Sequence, residues 1–224
     1  MKLSLLVFTA LLCSFASADV LLATFDGAPK TTQQWIVMND PVMGGQSISK
    51  AFINTSLSAA VWDGQVRIVP KLSAPGFCNY MTTRALTTHF ADASPYTHLT
   101  LRVRTTTPSY TGFKVSFAAD TVNPQFKSFK ANFNITGTDW TTVAIPFSQF
   151  SKDWSPYTGN CDTKDPTGVQ HHCCSSAHPE VCPTKRNLHD IMELGLWTEG
   201  VAGDFHLEVQ WIGAASPSSP SASS

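Results

Sequence analysis

Cysteine and histidine crowd one short segment of this 224-residue chain: Cys161, Cys173, Cys174 and Cys182 stand among His171, His172 and His178. Thiolates and imidazoles are the ligands of zinc and copper. Their spacing here matches no standard zinc finger, and no metal site is assigned. In an oxidising compartment such a loop is most simply stapled by two disulfides. Adjacent Cys173 and Cys174 are expected to bond different partners, with Cys161 and Cys182 as the candidates; the pairing stays open. Cys78 is left as a buried free thiol, an intermolecular link, or the partner of a loop cysteine.

The remaining chemistry is thin. Glycosidase action needs two carboxylates across a cleft, and Asp92, Asp120, Asp153, Asp162, Glu193, Glu199, Asp204 and Glu208 form no recognisable pair. No G-x-S-x-G elbow, P-loop or dinucleotide fingerprint occurs. The chain therefore reads as non-enzymatic and without a cofactor. A structural calcium ion is the one ion considered, since Asp26, Asp40, Asp204 and Glu208 carry suitable oxygens.

The stretch from Trp35 to Ser47 combines rare choices: an apolar run, an Asx-Pro turn, a methionine, a glycine pair, then Gln46 and Ser47. Asn39 and Asp40 can accept backbone hydrogen bonds and fix a turn before Pro41. Gly44 and Gly45 permit positive φ or close backbone approach. Two readings follow. In one, the motif is a buried turn locking a rim of the fold, with Trp35, Val42 and Met43 as a plug. In the other, Trp35, Asn39, Asp40, Met43, Gly44, Gly45 and Ser47 form a shallow ligand site, joined by Trp154 and Tyr157 at the root of the cysteine loop.

These residues need a scaffold, and period-two patterns supply it. Leu99, Leu101 and Val103 alternate with Thr100, Arg102 and Arg104. Phe113, Val115 and Phe117 repeat the pattern, as do Phe129, Ala131, Phe133 and Ile135, then the run from Trp140 to Ile145. Phe205, Leu207, Val209 and Trp211 close the series. One-sided alternation means strands with one buried and one wetter face. Further strands are expected at 21–25, 48–53, 58–62, 66–69, 79–83 and 192–198, with short helices at 146–150 and 187–191. Many short strands divided by Asp-Gly turns imply an all-β, jelly-roll β-sandwich.

Residues 1–18 read as a signal peptide: Lys2, an apolar run from Leu3 to Phe15 too short to span a membrane, and Ala16-Ser17-Ala18 as the cleavage site. The expected β-sandwich covers 19–213, with a cysteine-rich insertion at 155–186, and residues 214–224 read as a disordered Ser/Pro/Ala tail. The product is expected outside the cell or in the secretory lumen, with Asn54 and Asn134 as glycosylation sequons. A net charge of −1 gives no reason to expect nucleic acid.

The Trp35 to Ser47 stretch resembles the signature of the complex I intermediate-associated protein 30 family. Phe25-Asp26, Trp62-Asp63-Gly64, Gly76-Phe77 before Arg84, Leu99 to Arg104, and Trp140 to Phe150 with Ile145-Pro146-Phe147 are similar to its other segments, in order. The resemblance implies a galactose-binding-like β-sandwich. It also implies chaperone-like assembly work, since the best-known members assist assembly of respiratory complex I. The secretory leader and the cysteine-rich insertion depart from the mitochondrial pattern. The expected function is a secreted, non-catalytic binding module for a carbohydrate or glycoconjugate, the alternative being a protein-interaction or assembly factor.

Overall fold

The computed structural model describes residues 18–40, 44–83, 90–119 and 128–216. Strands are numbered in chain order: β1 Val20–Thr24, β2 Trp35–Asn39, β3 Ile48–Asn54, β4 Ala59–Val66, β5 Ile68–Val69, β6 Ala74–Pro75, β7 Phe77–Thr82, β8 His98–Arg104, β9 Phe113–Ala118, β10 Phe129–Asn132, β11 Thr141–Pro146, β12 Thr163–Lys164, β13 Gln170–His171, β14 Glu193–Glu199 and β15 Gly203–Ala215. Two sheets hold the main strands. The six-stranded sheet runs β11-β8-β15-β4-β3, with β1 pairing β15, and the five-stranded sheet runs β10-β9-β14-β7-β2. All these pairings are antiparallel.

The alternation dictates which face is buried. Leu99, Leu101, Val103, Phe205, Leu207 and Val209 of one sheet meet Phe113, Val115, Phe117, Leu194 and Leu196 of the other in one core. Large rings fill its middle. Trp62 and Phe205 stand edge to face with centroids 4.8 Å apart, and Phe113 lies 5.7 Å from Phe133. Aromatic pairs at such distances add about 0.5–1.5 kcal/mol each beyond burial.

Three elements differ from expectation. The apolar run before the Asx-Pro turn is itself a strand, β2, at the edge of the five-stranded sheet. The β10 ladder stops at Asn132, although Phe133 and Ile135 stay buried. β15 runs on through Ala215, so Ala214 and Ala215 are sheet residues and not tail. There β1 and β8 flank it on both sides, and Asp19 N–H donates to Ala214 O at 2.9 Å. Small side chains suit that doubly flanked stretch. The short helices fall close to where they were expected, as a 3₁₀ turn at Phe147–Gln149 and α1 at Lys185–His189. Among the described residues no helix is long and apolar enough to cross a membrane.

Candidate functional site

The signature turn is built around one buried carboxylate. Asp40, 2% exposed, accepts from Ser47 N–H at 2.7 Å through Oδ1. Its Oδ2 accepts from the Ser47 hydroxyl at 2.7 Å and from Phe77 N–H at 3.1 Å. The Ser47 hydroxyl in turn accepts from Arg67 N–H at 3.0 Å. Asp40 and the Ser47 hydroxyl together thus fasten the end of β2, the start of β3, the β4–β5 joint and the start of β7. A Cβ on Gly45 or Gly76 would overlap the Asp40 carboxylate, which is why both positions lack one. Gly44 takes φ +81° to turn the chain back. The side chains of Asn39 and Ser49 are hydrogen-bonded at 2.7 Å, tying β2 to β3. Trp35 rests 5.3 Å from Phe25 and 5.1 Å from Tyr80 as the end plug of the core. This is the geometry of the turn lock: Asp40 and Ser47 face each other and the backbone, not solvent. Met43 lies outside the described residues.

The insertion carries two disulfides, Cys161–Cys173 and Cys174–Cys182, so the neighbouring cysteines do take different partners. Cys78 is a buried free thiol, pushed up to about 11 by burial. A thiol at that value is protonated and inert at neutral pH. His171 is held between two carboxylates, Nδ1 2.6 Å from Asp153 Oδ1 and Nε2 3.2 Å from Asp165 Oδ2. Burial draws its pKa down, but Asp153 and Asp165 together outweigh burial and hold it above the ordinary 6.5. The native state binds the extra proton, so this contribution is complete below about pH 6.5 and is lost as pH rises through the raised value. Backbone hydrogen exchange across 161–182 should accordingly quicken between pH 6 and pH 8.5, after correction for intrinsic rates. Protection that ignores pH would remove His171 from this role.

The five-stranded sheet turns a second row of side chains away from the core. Cross-strand pairing sets Asn79, Trp197 and Lys114 in one row, and Met81, Gly195 and Ser116 in the next. Trp197 is half-buried; its indole N–H donates to Ser116 Oγ at 2.8 Å, and Phe77 lies 5.5 Å from its ring. Lys130 Nζ stands 4.7 Å from the Trp197 centroid and 5.5 Å from that of Trp154. Trp154 reaches this face because Ser151 exchanges backbone hydrogen bonds with Lys130, and because its indole N–H donates to Ser151 O at 2.7 Å. Lys114 Nζ is 5.4 Å from the same ring. Cation–π contacts of this kind contribute about 0.5–2 kcal/mol.

Beneath these lysines lies Glu199. Lys130 Nζ is 2.5 Å from its Oε1, and Lys114 Nζ donates to its backbone oxygen at 3.2 Å. Burial pushes the Glu199 carboxyl up, but Lys130 and Lys114 overcome burial and hold it below its ordinary value. Burial lowers the Lys114 ammonium to about 8 against the pull of Glu199. The face is therefore an aromatic ledge of Trp154, Trp197 and Phe77 beside a desolvated Lys–Glu–Lys cluster. It can stack on the C–H face of a sugar ring and bond its hydroxyls.

Of the residues read as ligand contacts, Trp154 reaches this ledge. Tyr157 sits half-buried in the root turn of the insertion, its N–H on Ser155 Oγ at 3.2 Å. Trp62, Tyr80 and Tyr110 are core. The four calcium-type donors are committed to separate partners: Asp26 to Thr24 and Ala28, Asp40 to the lock, Asp204 to Gln65, and Glu208 to Arg104 and His206. Among the described residues no group of three or more His, Cys, Asp or Glu could hold a metal ion. Asn134 is exposed and Asn54 partly so. Sequence reasoning missed Asn79, Ser116, Gly195, Lys114 and Lys130. The one signal available was the alternation of β9 and β14, which sets Lys114 and Glu199 opposite the apolar positions.

The fold is similar to that of the family 11 carbohydrate-binding module of a cellulosomal cellulase of Clostridium thermocellum. Identity is 12% and the TM-score 0.51, over 91% of this chain and 100% of that one. The Clostridium thermocellum module in complex with a β-1,3-1,4-mixed-linked tetrasaccharide gives 14% identity and a TM-score of 0.48, over 90% and 99%. An agarase gives 9% identity and 0.49, over 88% of this chain and 26% of its own. At such identities the likeness is one of fold, a galactose-binding-like sandwich. No curated protein sequence matches. The profile described as Complex I intermediate-associated protein 30 (CIA30) matches residues 24–165, from the end of β1 into the insertion and across well over half of the chain. The chain belongs to the Complex I intermediate-associated protein 30 family.

Proposed function

We propose that the protein is a secreted, non-catalytic binding module for a glycan or glycoconjugate, held on the outer face of the five-stranded sheet. The observation that carries this reading is Trp197: half-buried, its indole fixed by Ser116, and flanked by Trp154, Phe77 and Lys130. A ring locked in place loses little entropy when a sugar stacks on it. Two disulfides support an oxidising compartment, in keeping with the reading of residues 1–18 as a signal peptide. The fold shared with a carbohydrate-binding module is in keeping with this use of the face.

A second reading follows from the family: a surface for protein partners. It is favoured by the neighbouring edge strands β2 and β3, where Ile36, Val37, Ile48, Phe52 and Ile53 are 36–52% exposed. Contiguous exposed apolar residues mark interaction surfaces. A glycan array probed with the folded, oxidised protein separates the two. The expected result is a hit that free sugar competes and that Trp197→Ala weakens at least tenfold. A clean negative would overturn the glycan reading, and cross-linked partners mapping to β2 and β3 would replace it.

A further inference from the structure

Phe52 is 52% exposed, while every other described Phe, Tyr or Trp is buried or half-buried. One exposed ring is ordinary on a protein surface. Its position, two residues before the Asn54-Thr55-Ser56 sequon, gives it meaning. Side chains alternate along a strand, so Phe52 and Asn54 point to the same side of β3, about 7 Å apart. On that side their cross-strand neighbours are Val61 and Ala59, and β3 is the last strand of its sheet. The small Ala59 leaves the space over Asn54 open.

The turn aims the Asn54 amide. Leu57 N–H donates to Asn54 O at 3.2 Å and to its Oδ1 at 3.3 Å, closing the connection from β3 to β4. With Oδ1 held there, Nδ2 has no partner among the described residues and can carry a substituent. Thr55 and Ser56 are exposed, so the hydroxyl that completes the sequon is open. Asn134 differs: its neighbours Phe133 and Ile135 are buried in the core, and the residue two before it is Asn132, not a ring. We propose that Asn54 carries an N-linked glycan whose first N-acetylglucosamine lays its C–H face on the Phe52 ring. In the transfer, Asn54 Nδ2 attacks C1 of a lipid-diphosphate-linked oligosaccharide. The C1–O bond breaks as a C1–N bond forms, the amide loses one proton to the host cell's transferase, and the lipid diphosphate leaves. Phe52 then has a partner within the mature molecule and drops out of the exposed apolar edge. This depends on passage through the secretory route and not on what the five-stranded sheet binds.

The test uses the protein secreted with its own leader from a eukaryotic host that attaches N-glycans, in an Asn134→Gln background so that one glycan alone is read. Intact mass should show Asn54 occupied, and Ser56→Ala should remove the added mass. Losing the glycan through Ser56→Ala should lower the melting temperature by about 2–4 °C. In Phe52→Ala the same loss should shift the melt by less than about half as much, because the ring that the sugar covers is gone. NOEs between the Phe52 ring protons and the first sugar of the parent give an answer that needs no variant to fold. An unoccupied Asn54 overturns the inference. So does an occupied Asn54 whose glycan is worth the same with and without Phe52, or a first sugar with no NOE to that ring. The glycan array reads a different face, so the binding reading stands or falls separately.

Discussion

Asp40→Ala should cost about 3–5 kcal/mol. The carboxylate is buried and accepts from Ser47 N–H, the Ser47 hydroxyl and Phe77 N–H. Its removal leaves two buried backbone donors without acceptors, and a void between Gly45 and Gly76. A domain of this size has about 5–15 kcal/mol in total, so the melting temperature should fall by about 10 °C or more. Asp40→Asn keeps the shape but turns an NH₂ toward N–H donors, and should recover only part of the loss. Gly76→Ala should be comparably damaging, because the new Cβ would overlap the carboxylate itself. Urea unfolding of the three variants checks this. A loss under about 1 kcal/mol for Asp40→Ala would return Asp40 to the list of ligand contacts and discard the lock.

The second large effect belongs to Glu199. Glu199→Ala strands Lys114, which is 3% exposed, and takes the carboxylate from Lys130. Breaking a buried pair by removing one partner costs about 3–5 kcal/mol. The titration has two limbs with opposite causes. Glu199 is depressed below its ordinary 4.5, so the stability it contributes is present above about pH 4.5 and is lost as pH falls through the folded value. Lys114 is depressed from 10.5 to about 8. Between those values the unfolded chain binds the extra proton, so stability rises with pH across that window. Urea midpoints at pH 4, 7 and 9 should therefore climb in order for the cluster, and the acid limb should vanish in Glu199→Gln. An acid limb that persists in that variant would place the titration elsewhere.

The sandwich was legible because its strands announce themselves locally. Leu99, Leu101 and Val103, or Phe205, Leu207 and Val209, need only their own spacing to declare an inward face. The signature turn was legible for a similar reason, since a polar pair, a proline and two glycines have few other uses. β2 was overlooked as a strand because the turn beside it carries the stronger signal. The ledge is a different kind of object. Asn79, Ser116 and Gly195 come from three strands far apart in sequence, and they meet only through the register of β14 against β7 and β9. Nothing in the neighbourhood of Asn79 foretells that its side chain lies buried beside Gly195. The disulfide pairing was hidden for the same reason, as two adjacent cysteines leave two ways to close the loop.

Both cross-links begin and end inside the insertion, spanning 12 and 8 residues, and neither ties one sheet to the other. The sandwich and the insertion consequently answer to different cellular conditions. Strand pairing and the aromatic core need no oxidant, so the two packed sheets can assemble before any sulfur is oxidised. A thiol-rich environment would strip order from the appendage that leads away from Trp154 while the scaffold persists. Maturation can then proceed in two stages, the platform first and its flanking wall afterwards, with the arrival of an oxidant acting as the chemical clock between them.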